Sequence, residues 1–179
     1  MDSKLDQLRF PIGKFNYDES SNASDLKSWI EIIKTLPSRL KSSVANLNTD
    51  QLNTPYRPEG WTITQVIHHL ADSHINSYIR FKLALTENNP TIKPYEEADW
   101  AKLPDSNLLP IEVSLNLLEA LHTRWTFMLD RMTDEDFSRT FFHPETKTSF
   151  ELKKVCALYA WHCEHHLAHV TSLIQRKNW

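Results

Sequence analysis

The chain has 179 residues, enough for one domain with a sizeable core, and 40% of them are hydrophobic while only two are glycine. This composition excludes extended disorder and favours an ordered helical protein. The net charge of −3, with lysines and arginines scattered along the chain, argues against a surface that binds nucleic acid. A charged start and the lack of any run of about 18 apolar residues predict a cytoplasmic protein without a membrane partner.

The chain reads as a single domain over residues 1–179 and contains no repeat or low-complexity segment. Residues 1–20 have turn-forming residues and aromatic side chains but no helical periodicity, as in Phe10–Phe15. We expect them to form an ordered arm that lies across the body of the protein.

Two long helices follow the arm. From Asn22 to Leu47 the apolar residues keep a helical spacing that runs through Pro37, which predicts one helix with a kink at the proline. Thr62 and Gln65 have the spacing of a capping box, so the second helix begins there and runs to about Thr86. A polar stripe on this helix is either solvated or one wall of a polar pocket, and it consists of Gln65, His69, Asp72, Asn76 and Arg80.

The rest of the chain adds two more long helices. Residues 87–110 contain four prolines and predict a long connection with a short helical turn near residues 96–102. A third helix begins at Pro110, a small hairpin is expected within 140–150, and the last helix covers about Leu152 to Lys177. The predicted apolar stripe of the third helix consists of Val113, Leu117, Leu118, Leu121, Trp125, Met128 and Met132. Four amphipathic helices with one long crossover connection predict an all-α four-helix bundle, in which metal sites are built between facing helices.

Four of the nine histidines fall within eight residues of the last helix. His162 with His166, or His165 with His169, could present two imidazoles to one metal ion, because residues four apart share a helix face. The apolar pattern places His162 and His166 near the centre of the buried stripe and the other pair toward its edge. The inward pair is therefore the stronger candidate, although hydrogen-bonded core histidines would give the same pattern.

Two cysteines lie on the same helix. Cys156 and Cys163 are seven residues apart, about 10 Å along a helix, which is too far for a disulfide. Both also point away from the face that carries the inward histidines. We therefore expect free thiols that pack between helices rather than metal ligands.

Two stretches resemble a known family. The sequence Gly60–His74 (GWTITQVIHHLADSH), followed by His162-Cys-Glu-His-His166, is similar to the YfiT group of the DinB-like superfamily, whose members are described as metal-dependent hydrolases. The similarity extends over nearly the whole chain. Further segments that carry it are Phe10–Gly13, Thr54–Arg57, Asn76–Lys82 and Phe142–Pro144.

The resemblance implies a four-helix bundle that binds one divalent metal ion per chain, zinc or nickel, and that forms a homodimer. The matching positions make His69, His162 and His166 the ligands. The helical periodicity agrees for the terminal pair, but on the second helix it places His74, rather than His69, at the centre of the apolar stripe. His69 as a ligand therefore comes from the resemblance.

Three neutral imidazoles would leave a metal ion an open coordination position, as in catalytic zinc sites. Such a site acidifies a bound water for hydrolysis of a small-molecule substrate, or a bound thiol for transfer. Hydrolysis is the expected activity, and the alternatives are S-transfer from a low-molecular-weight thiol such as bacillithiol and a non-catalytic metal-binding stress protein. Asp72 and Glu164 are candidate proton-transfer or supporting carboxylates, and Arg80 is a candidate for holding an acidic substrate group.

Overall fold

The predicted four-helix bundle is confirmed by a computed structural model that describes residues 3–179. Its long helices are α2 (Ala23–Val44), α4 (Ile63–Thr86), α7 (Ile111–Leu129) and α9 (Leu152–Lys177). Helix α2 packs against α7 and α9, and α4 packs against the same two helices. The core therefore lies on the axis between the four helices. Within the described residues no helix is long and apolar enough to cross a membrane.

Capping boxes fix where two of the long helices, α2 and α4, begin. The Thr62 hydroxyl accepts from the Gln65 backbone N–H, and the Gln65 side chain accepts from the Thr62 backbone N–H, which confirms the predicted start of α4. Asn22 and Asp25 do the same at the start of α2. Gln65 also donates to the carbonyl of Ala101, so the cap ties α4 to the connection that follows it.

Helix α2 continues through Pro37 without ending there. Proline has no backbone N–H, so the carbonyl four residues earlier, that of Ile33, lacks its usual helical partner. Ile33 is fully buried, and its carbonyl accepts a hydrogen bond from the imidazole of His122 on α7 instead. The proline thus leaves a buried carbonyl in the core that accepts a hydrogen bond from a side chain.

Short elements connect the long helices: α3 (Thr49–Leu52), α5 (Glu97–Trp100), α6 (Pro104–Leu108), α8 (Asp134–Ser138), and strands β1 (Thr140–His143) and β2 (Thr148–Glu151). The predicted hairpin is confirmed, with β1 and β2 antiparallel. The helical turn expected near residues 96–102 is α5, and α6 follows it. A bridge between Thr91 and Phe142 attaches the long connection to the hairpin.

The N-terminal segment lies against α9, as expected of an arm, although the first two residues of the predicted range lie outside the described part. Its lack of helical period was misleading in one respect, because α1 (Ser3–Arg9) is a short helix. Beyond it, the carbonyl of Gly13 accepts from the indole of Trp161, and the carbonyl of Ser21 accepts from Lys153. Hydrogen bonds to α9 therefore fix the arm along its length.

The predicted stripe of α7 was partly wrong. Val113 and Leu117 are 49% and 43% exposed, whereas Leu118, Leu121 and Trp125 are buried as predicted. The buried face is rotated from the predicted one, and it carries polar residues that an apolar stripe leaves out: Ser114, His122 and Thr126. Pro110 occupies the N-cap rather than the first turn.

Candidate metal centre

Three imidazoles from two facing helices converge at one end of the core. His69 comes from α4, and His162 and His166 come from successive turns of α9. One ligating nitrogen from each ring lies within 4.8 Å of the other two. The ring centroids are 4.4 Å apart for the pair on α9 and 4.8 and 5.5 Å apart for the pairs that include His69.

Burial keeps these three rings neutral. It lowers the pKa of His69 to about 4, with a smaller contribution from nearby His165. Burial also lowers the pKa values of His162 and His166 well below the ordinary value, and the neighbouring histidines lower them further. A neutral imidazole offers an unprotonated nitrogen, which is the form that binds a metal.

The donor set fits a divalent metal ion. Among the described residues, the hydrogen bonds of His162 and His166 go outward to other partners and not to one another. Both hydrogen bonds use Nδ1, so Nε2 of each ring is the nitrogen left for a metal where the three rings meet. Three imidazoles without a carboxylate are the ligand set of a catalytic zinc site, and imidazole also suits nickel.

His74 is not in the group of three, and on α4 it is the ring of His69 that lies beside the α9 pair. His74 is completely buried behind His162 and lies 3.1 Å, nitrogen to nitrogen, from the Nδ1 of that ring. Its other nitrogen lies 2.7 Å from Nε2 of His122, whose Nδ1 donates to the Ile33 carbonyl at 2.5 Å. His69 and His74 are therefore both buried although they lie on different stripes of α4, because the helix packs against α7 and against α9.

His166 is also linked through a histidine to a backbone carbonyl, but with one intervening imidazole instead of two. Its Nδ1 lies 3.4 Å from Nδ1 of His169, and Nε2 of His169 lies 3.1 Å from the carbonyl of Arg9 in the arm. The ring of His169 stacks on Tyr56 with centroids 3.9 Å apart. Burial lowers the pKa of His169 to about 3, with His165 adding to the effect.

The expectation that His165 and His169 lie at the edge of the stripe was therefore wrong, since both are buried. The bundle itself does not bury them. His165 is stacked against Trp161 with centroids 4.4 Å apart and lies 6.0 Å from Phe10 of the arm. The covering residues come from the arm and the loop before α4, which helical periodicity cannot register.

A cavity of about 450 Å³ opens onto the three converging rings. Trp61 forms one wall, with its ring 4.6 Å from that of His69. Two guanidinium groups, those of Arg9 and Arg57, stand with the carboxylates of Glu59 and Glu97 around the cavity. Its aromatic and imidazole lining consists of Phe10, Tyr56, Trp61, His69, Trp161, His162, His165, His166 and His169.

A second cavity of about 380 Å³ adjoins the first, since His162 and Glu97 belong to both. Arg80 lines it, on the same side of the bundle as the hairpin residue His143. Burial raises the pKa of Tyr95, which also lines this cavity, above its ordinary value, and Tyr159 contributes to the rise. Arg80 is thus placed where it could reach a substrate that extends past His162.

The two candidate carboxylates are placed elsewhere. Asp72 lies beside Asp105 of α6, and burial together with that carboxylate raises the pKa of Asp72 to about 6. It lines neither of the two cavities within the described structure. Glu164 accepts two hydrogen bonds from Arg39 of α2, one of them 2.8 Å long, and so joins two helices.

Both cysteines lie in the hydrophobic core, where they pack between helices as predicted. Cys156 and Cys163 are both buried free thiols on α9. Burial raises the pKa of Cys156 to about 12 and that of Cys163 well above its ordinary value. Neither belongs to the group of potential metal ligands.

His122 was not among the residues predicted for the site, yet it belongs to the same buried network. A signal was available, because His122 lies four residues after Leu118 and three before Trp125, both fully buried in α7. The contributions of Trp61 and Tyr56 had no comparable signal, since they come from a loop.

The sequence matches the DinB superfamily over residues 32–170. The chain belongs to this superfamily. A protein of Bacillus cereus strain 03BB102 named "Putative metal-dependent hydrolase" is 53% identical over 175 residues, covering 98% of this chain and all of that protein. A protein of Oceanobacillus iheyensis with the same description is 54% identical over 171 residues, covering 96% of this chain and 98% of that protein.

Two solved structures are also similar. YfiT from Bacillus subtilis, described as "a probable metal-dependent hydrolase with an unusual four-helix bundle topology", aligns with a TM-score of 0.94 and 47% identity over 97% of this chain and 99% of that one. The mycothiol-dependent maleylpyruvate isomerase aligns with a TM-score of 0.64 and 15% identity, over 81% of this chain and 60% of that one. At that identity the second similarity shows the fold alone.

Proposed function

We propose that this protein is a metal-dependent hydrolase of a small-molecule substrate, with one divalent ion per chain held by His69, His162 and His166. The observation that carries the proposal is the convergence of three neutral imidazoles, those of His69 and His166 buried and that of His162 partly exposed, in the lining of one cavity. The names of relatives that match over their full length support it. Zinc is the expected metal because of the ligand set, and nickel is the alternative.

A metal bound by three neutral imidazoles keeps its full double charge and lowers the pKa of a coordinated water to about 7. The chain's own residues then provide orientation and shielding. Trp61 covers His69 and limits the access of bulk water from the loop side. Arg80, in the adjoining cavity beside His162, would hold an acidic group of the substrate.

Because the open coordination position could hold a thiol as well as water, experiment must decide between hydrolysis and thiol transfer. The homodimer also stays a prediction.

Purified protein is first stripped with a chelator, reloaded with zinc or nickel, and assayed for metal by mass spectrometry. We expect one ion per chain in the wild type and none retained by His162→Ala. Cys163→Ala is the control, since it changes the next residue on α9, which is fully buried, without touching a proposed ligand.

The loaded protein is then offered a panel of ester and amide substrates, with and without a low-molecular-weight thiol. Hydrolysis requires no thiol and should be lost in His162→Ala but kept in Cys163→Ala. Product that forms only with the thiol would replace hydrolysis by transfer. Activity that survives complete removal of the metal would contradict the proposal.

A further inference from the structure

A line of imidazoles crosses the bundle behind the candidate metal centre. Nδ1 of His162 lies 3.1 Å from Nε2 of His74, and Nδ1 of His74 lies 2.7 Å from Nε2 of His122. Nδ1 of His122 ends the line at the carbonyl of Ile33, 2.5 Å away. These four residues belong to α9, α4, α7 and α2, so each long helix contributes one member. We refer to this line as the long chain.

The carbonyl at its end fixes the direction of every hydrogen bond. A carbonyl oxygen can only accept, so Nδ1 of His122 must carry the proton. This carbonyl is free to do so because Pro37, four residues later, has no N–H to offer it. The proline in α2 thus supplies the fixed acceptor from which the long chain is built.

The polarity then passes from ring to ring. His74 and His122 are 0% and 1% exposed, and a charged imidazole there would lie in the core without a carboxylate partner, so both rings are neutral and each carries a single N–H. With its proton on Nδ1, His122 accepts at Nε2 from Nδ1–H of His74. His74 in turn accepts at Nε2 from Nδ1–H of His162.

His162 is left with an unprotonated Nε2. A neutral imidazole has one proton, and the long chain places it on Nδ1, on the side away from His69 and His166. The lone pair of Nε2 is therefore available for the metal. Without the long chain the proton could occupy either nitrogen, and the Nε2–H form cannot bind a metal through Nε2.

A short chain acts on His166 in the same way. The carbonyl of Arg9 accepts from Nε2–H of His169, 3.1 Å away, which leaves Nδ1 of His169 as an acceptor. Nδ1 of His166 lies 3.4 Å from that atom and donates to it. Nε2 of His166 is then unprotonated, like that of His162.

We propose that His74, His122 and His169 are positioning residues that hold His162 and His166 in the Nδ1–H tautomer with Nε2 directed to the metal. The proposal rests on the metal site of the proposed function. Metal ligands commonly donate their second ring N–H to a partner that fixes tautomer and orientation. Here the partners are imidazoles, and backbone carbonyls stand where a carboxylate would otherwise end the chain.

The tautomers can be read in the metal-free protein by long-range ¹H–¹⁵N correlation spectra of ¹⁵N-histidine samples at pH 7.5. We expect His162 and His166 in the wild type to show a protonated Nδ1 and an unprotonated Nε2. His122→Phe should move His162 toward the Nε2–H form and leave His166 unchanged, while His169→Phe should do the reverse. A wild-type His162 protonated at Nε2, or one unaffected by His122→Phe, would overturn the proposal.

Zinc affinity, measured by competition with a chromophoric chelator, provides the second test. Loss of a residue that supports a metal ligand typically costs about 10- to 100-fold in affinity, which we expect for His74→Phe and His169→Phe. His122→Phe should lose less, and His122→Gln should recover part of that loss, because its amide can donate to Ile33 and accept from His74. Leu118→Ala, one turn away on α7 and fully buried, is the control for destabilisation alone.

Pro37→Ala leaves every imidazole in place and tests the origin of the long chain. The new N–H of residue 37 competes with His122 for the Ile33 carbonyl, so we expect weaker zinc binding with unchanged helix content. Affinity in His74→Phe equal to that in Leu118→Ala would refute the positioning role. A wild type that binds no metal would instead refute the proposed function, whatever its tautomers.

Discussion

The long and short chains direct two neighbouring imidazoles at the same point, yet they are built from different parts of the molecule. The long chain takes one residue from each of the four long helices. It ends on the buried carbonyl of Ile33, which has no helical hydrogen-bond donor because residue 37 is proline. The short chain ends on Arg9 in the N-terminal arm. The same local chemistry is therefore coupled in one case to the packing of the bundle, and in the other to the docking of a surface segment.

This difference determines what can disturb each chain. The long chain cannot open unless four helices separate, since His74 and His122 are both buried at the bundle axis. The short chain is broken if the arm lifts, because it ends on the carbonyl of Arg9 in the arm, and the ring of His169 is otherwise covered by Tyr56 of a loop. Local opening of peripheral segments costs less free energy than global unfolding. We expect the His166 side of the centre to be the more mobile one.

The largest expected effect comes from removing the proposed metal ligand of either chain, His162 of the long chain or His166 of the short chain. A ligand at 100 times its dissociation constant raises the free energy of unfolding by about 2.7 kcal/mol. Zinc at that excess should therefore raise the melting temperature of the wild type but leave His162→Ala and His166→Ala unchanged. Thermal unfolding with zinc and with a chelator measures this. A zinc-dependent rise retained in either variant would mean that its histidine is not a ligand.

The next largest effect is expected from acid, which should lower the free energy of unfolding mainly through the buried histidines of the core. Burial lowers the pKa of His122 to about 4 and that of His74 well below the ordinary value, whereas in the unfolded chain both return to about 6.5. Between pH 6.5 and 4 the unfolded chain therefore binds more protons, so stability is complete above pH 6.5 and falls as the pH decreases. Each such ring contributes up to about 1.4 kcal/mol per pH unit.

Urea unfolding of the chelator-treated protein at pH 7.5, 6.0 and 5.0 measures this slope. His122→Phe should reduce it by the contribution of about one proton. Asp72 works in the opposite direction, because its raised pKa of about 6 makes the folded state bind the extra proton between about pH 4 and 6. Asp72→Asn should therefore steepen the loss in acid. Equal slopes in the wild type and His122→Phe would show that His122 does not stay neutral in the fold.

The sequence was sufficient to predict the bundle and the pair of histidines on α9 to which the two chains lead. Helical period and the capping box predicted α4 and α9. Of the pair predicted on the buried stripe, His166 is buried and His162 is partly exposed. The long chain was not predictable from periodicity, because periodicity indicates that His74 is buried but not which residue of another helix lies opposite it. His122 was missed because a stripe drawn from apolar residues alone was placed over Val113 and Leu117, which are exposed.

The short chain was beyond reach for another reason. His169 seemed to lie at the edge of its helix because the residues that bury it, Tyr56 and the arm, are more than 100 positions away in the sequence. Contacts of this kind are decided by the tertiary fold and not by local pattern. The resemblance to a known family supplied His69, for which the pattern alone favoured His74.

A smaller effect is expected from loosening the arm. Phe10 is half-buried and lies 6.0 Å from His165, so Phe10→Ala removes apolar contact worth about 1 kcal/mol. Hydrogen exchange should become faster in residues 5–17 and unchanged in α4 and α7, with a modest loss of zinc affinity. Ile12→Ala, at a 44% exposed position of the same arm, is the matched control. Faster exchange throughout the four long helices would show that the arm and bundle are not separable.

The smallest effect is expected at Glu164, which lies between the ligands on α9 and yet belongs to neither chain. Its carboxylate is held by Arg39 on α2, and the two side chains are 31% and 40% exposed. Ion pairs with this much exposure contribute about 1 kcal/mol or less. Glu164→Gln should therefore lower the free energy of unfolding by no more than that and leave zinc stoichiometry and affinity unchanged, because the Arg39 pair lies outside both hydrogen-bonded chains. Arg39→Gln, which breaks the same pair from α2, should behave identically. A loss of hydrolysis in Glu164→Gln but not in Arg39→Gln would instead make the carboxylate itself part of the reaction.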